Sequence, residues 1–367
     1  MKFLKDKQTR HDFVTYAMCI VAFAIVFFMQ SNHMIPRMIA GQLVPITAYI
    51  VMAISLNLVV GIAGDLSLGH AGFMSVGAYT GIVTAVALES AVPSDPVRLV
   101  ISIVVGAIAA AVLGFLIGIP VLRLSGDYLA IVTLAFGEII KELINCLIIG
   151  YDENGLHFIF NPAGNKTVDD LGLSASGTAI IKGAQGATGT ATIATFTAGF
   201  ILVMITLIVV LNLTRSRAGR AIMAIRDNRI AAQAIGLNLT KYKLMAFVTS
   251  AVFAGVAGVL YALNYSSLVA KKFDYNTSIL ILVFVVLGGI GNLRGSVIAA
   301  AVLTVLPELL RSMNDYRMLI YAIVLIVVMI FNQSPEMIAL RKRLTARFRK
   351  EDAEGKGTKD KEKKGVA

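Results

Sequence analysis

Apolar runs of about 20 residues recur along almost the whole sequence, and this repeated length constrains the fold more than any other feature. A helix of about 20 residues can cross the roughly 30 Å hydrocarbon core of a bilayer. Backbone polar groups in lipid must be bonded within their own segment or within a closed barrel, so isolated strands are excluded there. The sequence therefore predicts an all-α integral membrane protein, folded as a polytopic helical bundle.

The composition supports this prediction. Of the 367 residues, 57% are hydrophobic and only 15% are charged, whereas soluble domains carry about 25% charged residues. The excess of apolar side chains must therefore face lipid. The two cysteines, Cys19 and Cys146, lie in apolar stretches without CxxC spacing, so we expect buried free thiols and no disulfide.

The apolar runs predict about ten transmembrane spans. The third is rich in Gly and Ser, and the eighth and ninth are short, so eight to ten crossings are expected if some of these are broken or re-entrant. The candidate spans are residues 13–30, 43–61, 67–88, 98–121, 128–149, 193–213, 244–263, 277–291, 295–310 and 317–332.

Charge predicts the orientation. Residues 1–12, 214–243 and 333–367 are rich in Lys and Arg, which places them in the cytoplasm. Segment 150–192 has four acidic residues against two lysines and is expected outside, as a periplasmic insertion. Both termini are then cytoplasmic, which agrees with ten spans. The net charge of +11 is thus explained by orientation, without a nucleic-acid partner.

The two ends of the chain need separate treatment. The first span follows a basic segment but lacks a small-x-small cleavage site, so it is expected to stay as a helix, with a signal-anchor role equally open. The 13–332 region then forms the transmembrane domain. The tail 333–367 is dominated towards its end by Lys, Glu, Asp and Gly, which predicts a partly disordered cytoplasmic segment.

Polar groups gather near the start of the third span. Our candidates for the translocation path there are Gly64, Ser67, Gly69, His70 and Phe73, because polar groups at membrane depth usually face a cavity or a partner. Two interpretations stay open: close helix packing through small residues, or a broken helix that lines the path. His70 has no second ligand at suitable spacing, so no metal site is expected.

The fifth span carries the next candidate. Ser125 or Asp127 is expected to cap its helix, and Asp127 also suits the positive end of the helix dipole. Glu138 lies about 15 Å into the span. Lys141 and Glu142 share its helix face, so we expect an ion pair, with a proton-coupling carboxylate in the path as the alternative.

The basic segment 217–236 is the most informative cytoplasmic region. It is predicted to be a helix that ends at Gly236. Its charges are spread too widely for a helix lying on the membrane. The small residues Ala231, Ala232 and Ala234 would permit close approach by another chain, so we expect a docking element, against the alternative of a solvated loop that only orients the chain.

Four blocks, taken together, resemble the M-type permease subunits of branched-chain amino acid (Liv-type) ABC importers. The resemblance covers about residues 40–335 and implies an ABC importer permease fold in the bacterial inner membrane. It also implies an H-type permease partner, two cytoplasmic ABC ATPase subunits and a periplasmic or lipid-anchored solute-binding protein. The blocks are SLGHA at 67–71, GDYLAIVTL at 126–134, RDNRIAA at 226–232 and GGIGNLRGS at 288–296.

The same resemblance assigns the coupling element. Importer permeases dock on their ATPase through a cytoplasmic loop with the pattern Glu-Ala-Ala, three residues, Gly. Ala231, Ala232 and Gly236 match that pattern, but Ile230 stands in place of Glu. The 150–192 insertion also departs from the family, being long and lacking the expected Gly-Gly-rich turn. The residues assigned to ATPase coupling are Arg226, Asp227, Ala231, Ala232 and Gly236.

We therefore predict a permease subunit that imports branched-chain or similar amino acids, with ATP and Mg²⁺ bound only by partner subunits. No Walker-type motif is present, so no cofactor is expected on this chain. One alternative is an ion-coupled secondary transporter that uses Glu138, Asp65 or His70. Others are the same permease carrying urea, amides or another amino acid, and a membrane-embedded enzyme, which the absence of an HExxH motif disfavours.

Overall fold

The computed structural model describes residues 7–32, 34–124, 126–153, 155–174, 177–310 and 316–333. Met1–Glu308 forms one compact unit, and the last helix, α13, lies in a second unit, Leu309–Ala367. Ser125 and residues 334–367 of the predicted tail lie outside the described residues.

The described part of the chain is mainly helical, and each of the ten predicted spans corresponds to a helix. The helices are α1 (Lys7–Ser31), α2 (Arg37–Ala40), α3 (Leu43–Asn57), α4 (His70–Ala87), α5 (Asp95–Val121), α6 (Asp127–Asn145), α7 (Phe196–Arg215), α8 (Arg217–Asp227), α9 (Arg229–Ala234), α10 (Leu239–Ala262), α11 (Tyr275–Gly288), α12 (Leu293–Leu309) and α13 (Arg317–Gln333).

Five helical segments among the described residues are long and apolar enough to cross a membrane. One of them combines α3 with the π-helical turn that follows it. The other helices at predicted spans are shorter or less apolar; α11, for example, has 14 residues. The five segments are Phe13–Ser31, Leu43–Ala63, Asp95–Val121, Phe196–Arg215 and Leu239–Ala262.

Several helices begin where a polar side chain caps the first turn. Thr195 Oγ1 accepts from the backbone N–H of Ala198 at the start of α7. Asn238 Oδ1 accepts from Lys241 N at 3.0 Å at the start of α10. Such caps bond N–H groups that have no partner within the helix, which fixes where the helix begins.

Helices α4, α5 and α10 pack through glycines, so that their backbones touch. A Cβ at Gly77 of α4 would lie 2.0 Å from the carbonyl oxygen of Gly255 in α10. A Cβ at Gly258 would lie 1.9 Å from the carbonyl oxygen of Met74, and one at Gly255 3.0 Å from that of Gly106 in α5. Small residues let the helix backbones approach this closely, and the resulting dispersion contacts stabilise helix pairs in lipid.

The regular helix of α3 ends within the bundle. It continues as a π-helical turn, Leu58–Ala63, which ends at Gly64 with a φ of +76°. The chain then runs without regular structure until α4 begins at His70. Asn57 holds this turn from the side, because its Oδ1 accepts from Gly291 N at 2.9 Å and its Nδ2 donates to Ser296 Oγ at 2.8 Å.

A small antiparallel sheet corrects the expectation of an all-α chain. Four of its strands come from the predicted 150–192 insertion and the residues just before it, and the fifth follows α10, in the order β2-β1-β3-β4-β5. Alternating burial along β1 and β2 reflects the two faces of a pleated sheet. The strands are β1 (Leu147–Asp152), β2 (Gly155–Phe160), β3 (Thr178–Lys182), β4 (Ala187–Thr188) and β5 (Ser267–Leu268).

Candidate functional site

The break between α3 and α4 is surrounded by polar contacts. Asp65, which is 8% exposed, forms an ion pair with Lys243 from the first turns of α10. A buried carboxylate needs such a partner, because an unpaired charge away from water costs several kcal/mol. The pair therefore fixes the broken segment to the start of α10.

His70 opens α4 as a buried, hydrogen-bonded residue. Its Nε2 lies 2.8 Å from Ser55 Oγ. The Ser55 hydroxyl also lies 2.9 Å from the carbonyl oxygen of Met52, so it connects the imidazole to the backbone of α3. Ser67 nearby is also buried, and its Oγ has no hydrogen-bond partner among the described residues.

Gly69 and Phe73 make packing contacts. A Cβ at Gly69 would lie 2.1 Å from the carbonyl oxygen of Thr133 in α6. The ring of Phe73 meets that of Phe247 edge-on, with centroids 5.6 Å apart. These contacts support the packing interpretation of the glycine-rich stretch, while a role in the translocation path stays a prediction for these residues and for Gly64, Ser67 and His70.

Glu138 forms the predicted ion pair. Its Oε2 pairs with Lys141, which also lies 3.3 Å from Glu142, and its Oε1 accepts from the backbone N–H of Tyr275 at 2.9 Å. This carboxylate therefore joins α6 to the beginning of α11. The predicted cap of α6 is wrong for Asp127: Gly126 occupies the N-cap, and Asp127 lies inside the first turn, where its charge suits the helix dipole.

The basic segment 217–236 contains two helices rather than the single one predicted. Ser216 caps α8 by accepting from Gly219 N at 3.0 Å, and Asn228 caps α9 by accepting from Ala231 N at 3.0 Å. Asn228 has a φ of −152°, which breaks the helix because its side chain offers the backbone another hydrogen bond. Gly236, at φ +82°, follows the end of α9 closely, as predicted.

Two exposed isoleucines lie at the two ends of α9, Ile230 in its first turn and Ile235 at its C-cap. Ile230 is 82% exposed and Ile235 is 76% exposed, although this segment is basic and not a candidate span. Of the two predicted contact alanines, Ala231 is exposed and Ala232 is buried against the protein. From the sequence, Ile230 was noted only as the residue in place of Glu, and Ile235 was not singled out; the available signal was two large apolar side chains in a basic segment.

Arg226 joins this segment to the break in α3. Its Nη1 donates to the carbonyl oxygen of Gly61 at 3.0 Å, and its Nε and Nη2 donate to Asp227 Oδ1. Its side chain also covers Gly64, where a Cβ would lie 2.5 Å from Arg226 Cγ. Two predicted coupling residues and one predicted path residue thus meet at one place.

Apolar helices, five of them long enough to cross a membrane among the described residues, and the polar contacts around the break after α3 are those of a multi-pass membrane protein. The chain belongs to the family described as the branched-chain amino acid transport system / permease component, whose model matches residues 38–329. This is a family of transport permeases rather than of enzymes.

Three relatives carry similar names. The high-affinity branched-chain amino acid transport system permease proteins LivM of Salmonella typhimurium and Escherichia coli are 35% and 34% identical, each over 77% of this chain and 66% of the relative. A probable branched-chain amino acid transport permease protein LivM of Methanocaldococcus jannaschii is 27% identical over 57% of this chain and 56% of the relative. The matches span about two thirds of the first two relatives. No solved structure matches the chain.

Proposed function

We propose that this chain is the permease subunit of an ATP-driven importer for branched-chain or similar amino acids in the bacterial inner membrane. Separate ATPase subunits bind ATP and Mg²⁺, an H-type permease completes the membrane pore, and an external binding protein delivers the solute. The observation that carries this proposal is the pair of exposed isoleucines at the two ends of α9, beside a direct contact between α8 and the broken helix.

The topology belongs to the same proposal. The ten helices at the predicted spans cross or enter the membrane, with residues 1–12, 214–243 and 333–367 in the cytoplasm. The polar contacts agree with this orientation: Thr15 near the start of α1 accepts from Arg294 near the start of α12. Both helix starts then lie on the cytoplasmic side, and the five-stranded sheet lies outside.

The docking contact is apolar in this chain. Ile230 in α9 and Ile235 just after it have most of their surface exposed, and burying such a side chain stabilises a complex by about 1.5–3 kcal/mol. An apolar pocket on the ATPase therefore takes the place of the ionic contact that Glu makes in the family pattern. The buried Ala232 lets α9 lie close against its own subunit.

Movement of the ATPase subunits reaches the membrane region through two polar contacts. Arg226 connects α8 to the π-helical turn, and Asp65 connects the residues after that turn to α10. Closure of the ATPase pair on ATP pulls α8 and α9, which shifts the broken segment and opens the permease pair outward. Hydrolysis then resets the arrangement.

The ion-coupled alternative has less support. Glu138 is paired with Lys141 and bonded to Tyr275 N, and Asp65 is paired with Lys243. A coupling carboxylate must exchange protons or sodium ions during each cycle, whereas these two have stable partners. The urea, amide and other amino acid alternatives concern only the solute, and a ligand screen of the cognate binding protein distinguishes them.

The test uses the complete importer in proteoliposomes. Replacing both residues, Ile230→Asp and Ile235→Asp, should abolish leucine uptake and the stimulation of ATPase activity by the binding protein, because charged side chains cannot enter an apolar pocket. Gln233→Asp adds a charge between them on the same exposed helix and is the matched control. Normal uptake by the double variant would overturn the coupling assignment.

A further inference from the structure

An apolar cavity that is open on one side lies in the first unit, away from the break in α3. It has a volume of about 460 Å³ and lies between α1, the connection to α3, α3 itself, α7 and α12. Met18, Phe23 and Met29 line it from α1, and Ile298, Ala301 and Val302 line it from α12.

The chemistry of the lining excludes a polar ligand. Among the described side chains that line the cavity, only those of Thr47 and Cys19 carry a hydrogen-bonding group. The Thr47 hydroxyl already donates to the carbonyl oxygen of Val44 at 2.7 Å. A polar molecule placed here would lose its hydrogen bonds to water without replacement, which costs several kcal/mol per group. The occupant must be hydrocarbon.

The mouth of the cavity opens among exposed apolar side chains. Met34 is 65% exposed, Val302 is 55% exposed and Ile298 is 49% exposed. In a chain whose helices cross a membrane, these side chains face acyl chains and not water. An unfilled cavity would leave its lining without dispersion contacts, whereas a lipid tail that enters it restores them.

The volume distinguishes a lipid chain from a protein segment. A helix about 10 Å in diameter occupies roughly 1,200 Å³ for every three turns, so no helix fits inside. A volume of about 460 Å³ lies within the range of roughly 300–1,000 Å³ that small-molecule sites show. A single extended hydrocarbon chain matches both the size and the lining.

We propose that this cavity binds one acyl chain of a membrane phospholipid. The chain completes the packing of α1 against the bundle, where the described contacts are few: Thr15 bonds Arg294, and the ring of Phe23 stacks on Phe200 with centroids 4.0 Å apart. In the proposed orientation the cavity lies towards the outer leaflet, so the lipid enters from that side.

Photo-crosslinking of the complete importer in nanodiscs tests this site. The nanodiscs contain phosphatidylethanolamine and phosphatidylglycerol, with a fraction of phosphatidylethanolamine that carries a diazirine in one acyl chain. Peptides from α1 and α12 that line the cavity should be labelled more strongly than the α5 peptide around Val112, which is 53% exposed. A second sample contains a free diazirine fatty acid; labelling by the fatty acid but not by the phospholipid would overturn the phospholipid assignment.

Filling the cavity supplies the matched pair of variants. Ala301→Trp places a large ring in the cavity and should reduce labelling of the cavity lining to the level seen at α5. Val112→Trp places the same ring on the exposed face of α5 and should leave labelling of the cavity lining unchanged. Ala22→Phe fills the cavity from α1 if Ala301→Trp does not insert. Uniform labelling of α1, α5 and α12, or no loss in the filled variants, would overturn the proposal.

A protein occupant has its own outcome. A photoreactive amino acid at position 301 should crosslink to lipid. Crosslinks to another segment of this chain or to the partner permease would show that protein, and not lipid, fills the site, and the proposal would then be wrong.

Discussion

Arg226 Nη1 donates a hydrogen bond of 3.0 Å to the carbonyl oxygen of Gly61, a residue 165 positions earlier in the chain. This contact connects α8 with the π-helical turn after α3. Gly61 has no room for a side chain, because a Cβ there would lie 1.9 Å from Asn57 Oδ1 and 2.4 Å from Gly291 N. The arginine therefore bonds the π-helical turn at the point where that turn already packs against the backbone of Gly291.

Removing the guanidinium should uncouple the importer. Arg226→Gln should reduce leucine uptake by at least about tenfold, because a hydrogen bond from a charged donor contributes about 1.5–3 kcal/mol. Basal ATPase activity should remain, because the docking isoleucines are intact. Arg229→Gln, which removes a charge from the exposed start of α9, is the control. Equal uptake by both variants would contradict a role for the Gly61 contact.

The Asp65–Lys243 pair should show strong coupling in a double-mutant cycle. Lys243→Met leaves a buried carboxylate without its partner and should destabilise the protein by about 3–5 kcal/mol, whereas adding Asp65→Asn should recover much of that loss. The measurement is the thermal unfolding of the purified complex, compared between the unmodified protein, the two single variants and the double variant in the same detergent and lipid. Additive effects of the two substitutions would mean that the pair contributes little.

The glycine contacts between α4 and α10 should tolerate no side chain. Gly77→Ala would place a Cβ 2.0 Å from the carbonyl oxygen of Gly255, so the helices must separate and lose their packing. The expected result is a lower unfolding temperature and less assembled complex. Ala24→Val on an exposed face of α1 adds more volume and should have little effect; a similar loss there would point to a general effect of larger side chains.

Asp274 predicts a pH dependence. Burial opposes ionisation of this carboxyl, but hydrogen bonds from Thr277 N at 3.0 Å and from Asn276 Nδ2 at 2.7 Å outweigh it and hold its pKa below the usual value. Because the pKa of Asp274 is lower in the folded protein than the unfolded value of about 3.9, the charged carboxylate stabilises the folded state at pH values above that. The contribution is lost as the pH falls through the folded-state pKa.

Two variants separate the charge from the cap. Asp274→Asn keeps a capping side chain but removes the charge. Its unfolding temperature should therefore be lower than that of the unmodified chain at pH 7, and the difference should shrink as the pH falls below about 4. Asp274→Ala removes the cap and should cost about 1 kcal/mol at pH 7. Unfolding temperatures across this pH range provide the measurement; a deficit of Asp274→Asn that grows towards low pH would contradict the assigned pKa direction.

Local patterns predicted much of this structure. Apolar runs located the ten helices, because membrane thickness fixes how long such a run must be. The Glu138–Lys141 pair and the helix end near Gly236 also followed from nearby residues, since helix geometry relates positions three and four apart. These features depend on a few consecutive turns of one helix.

Features that depend on distant residues were not predictable in the same way. Asp65 meets Lys243 across 178 residues, and no local pattern relates them. The sheet was missed because its strands are short, because β1 overlaps the end of the predicted fifth span, and because the fifth strand comes from beyond α10. Asn228 was predicted to lie inside a helix. Its side chain instead accepts a hydrogen bond from Ala231 N, and the sequence alone does not show which of the two an Asn will adopt.

The backbone contacts between α4, α5 and α10 restrict how this permease can change during evolution. Gly77, Gly106, Gly255 and Gly258 leave no space in which a side chain could be enlarged or exchanged. These three helices therefore behave as one inflexible block whose interior cannot be remodelled to suit a different solute. A side chain at any of these four positions would force the helices apart, so we expect substitutions that change the transported solute to lie outside the block.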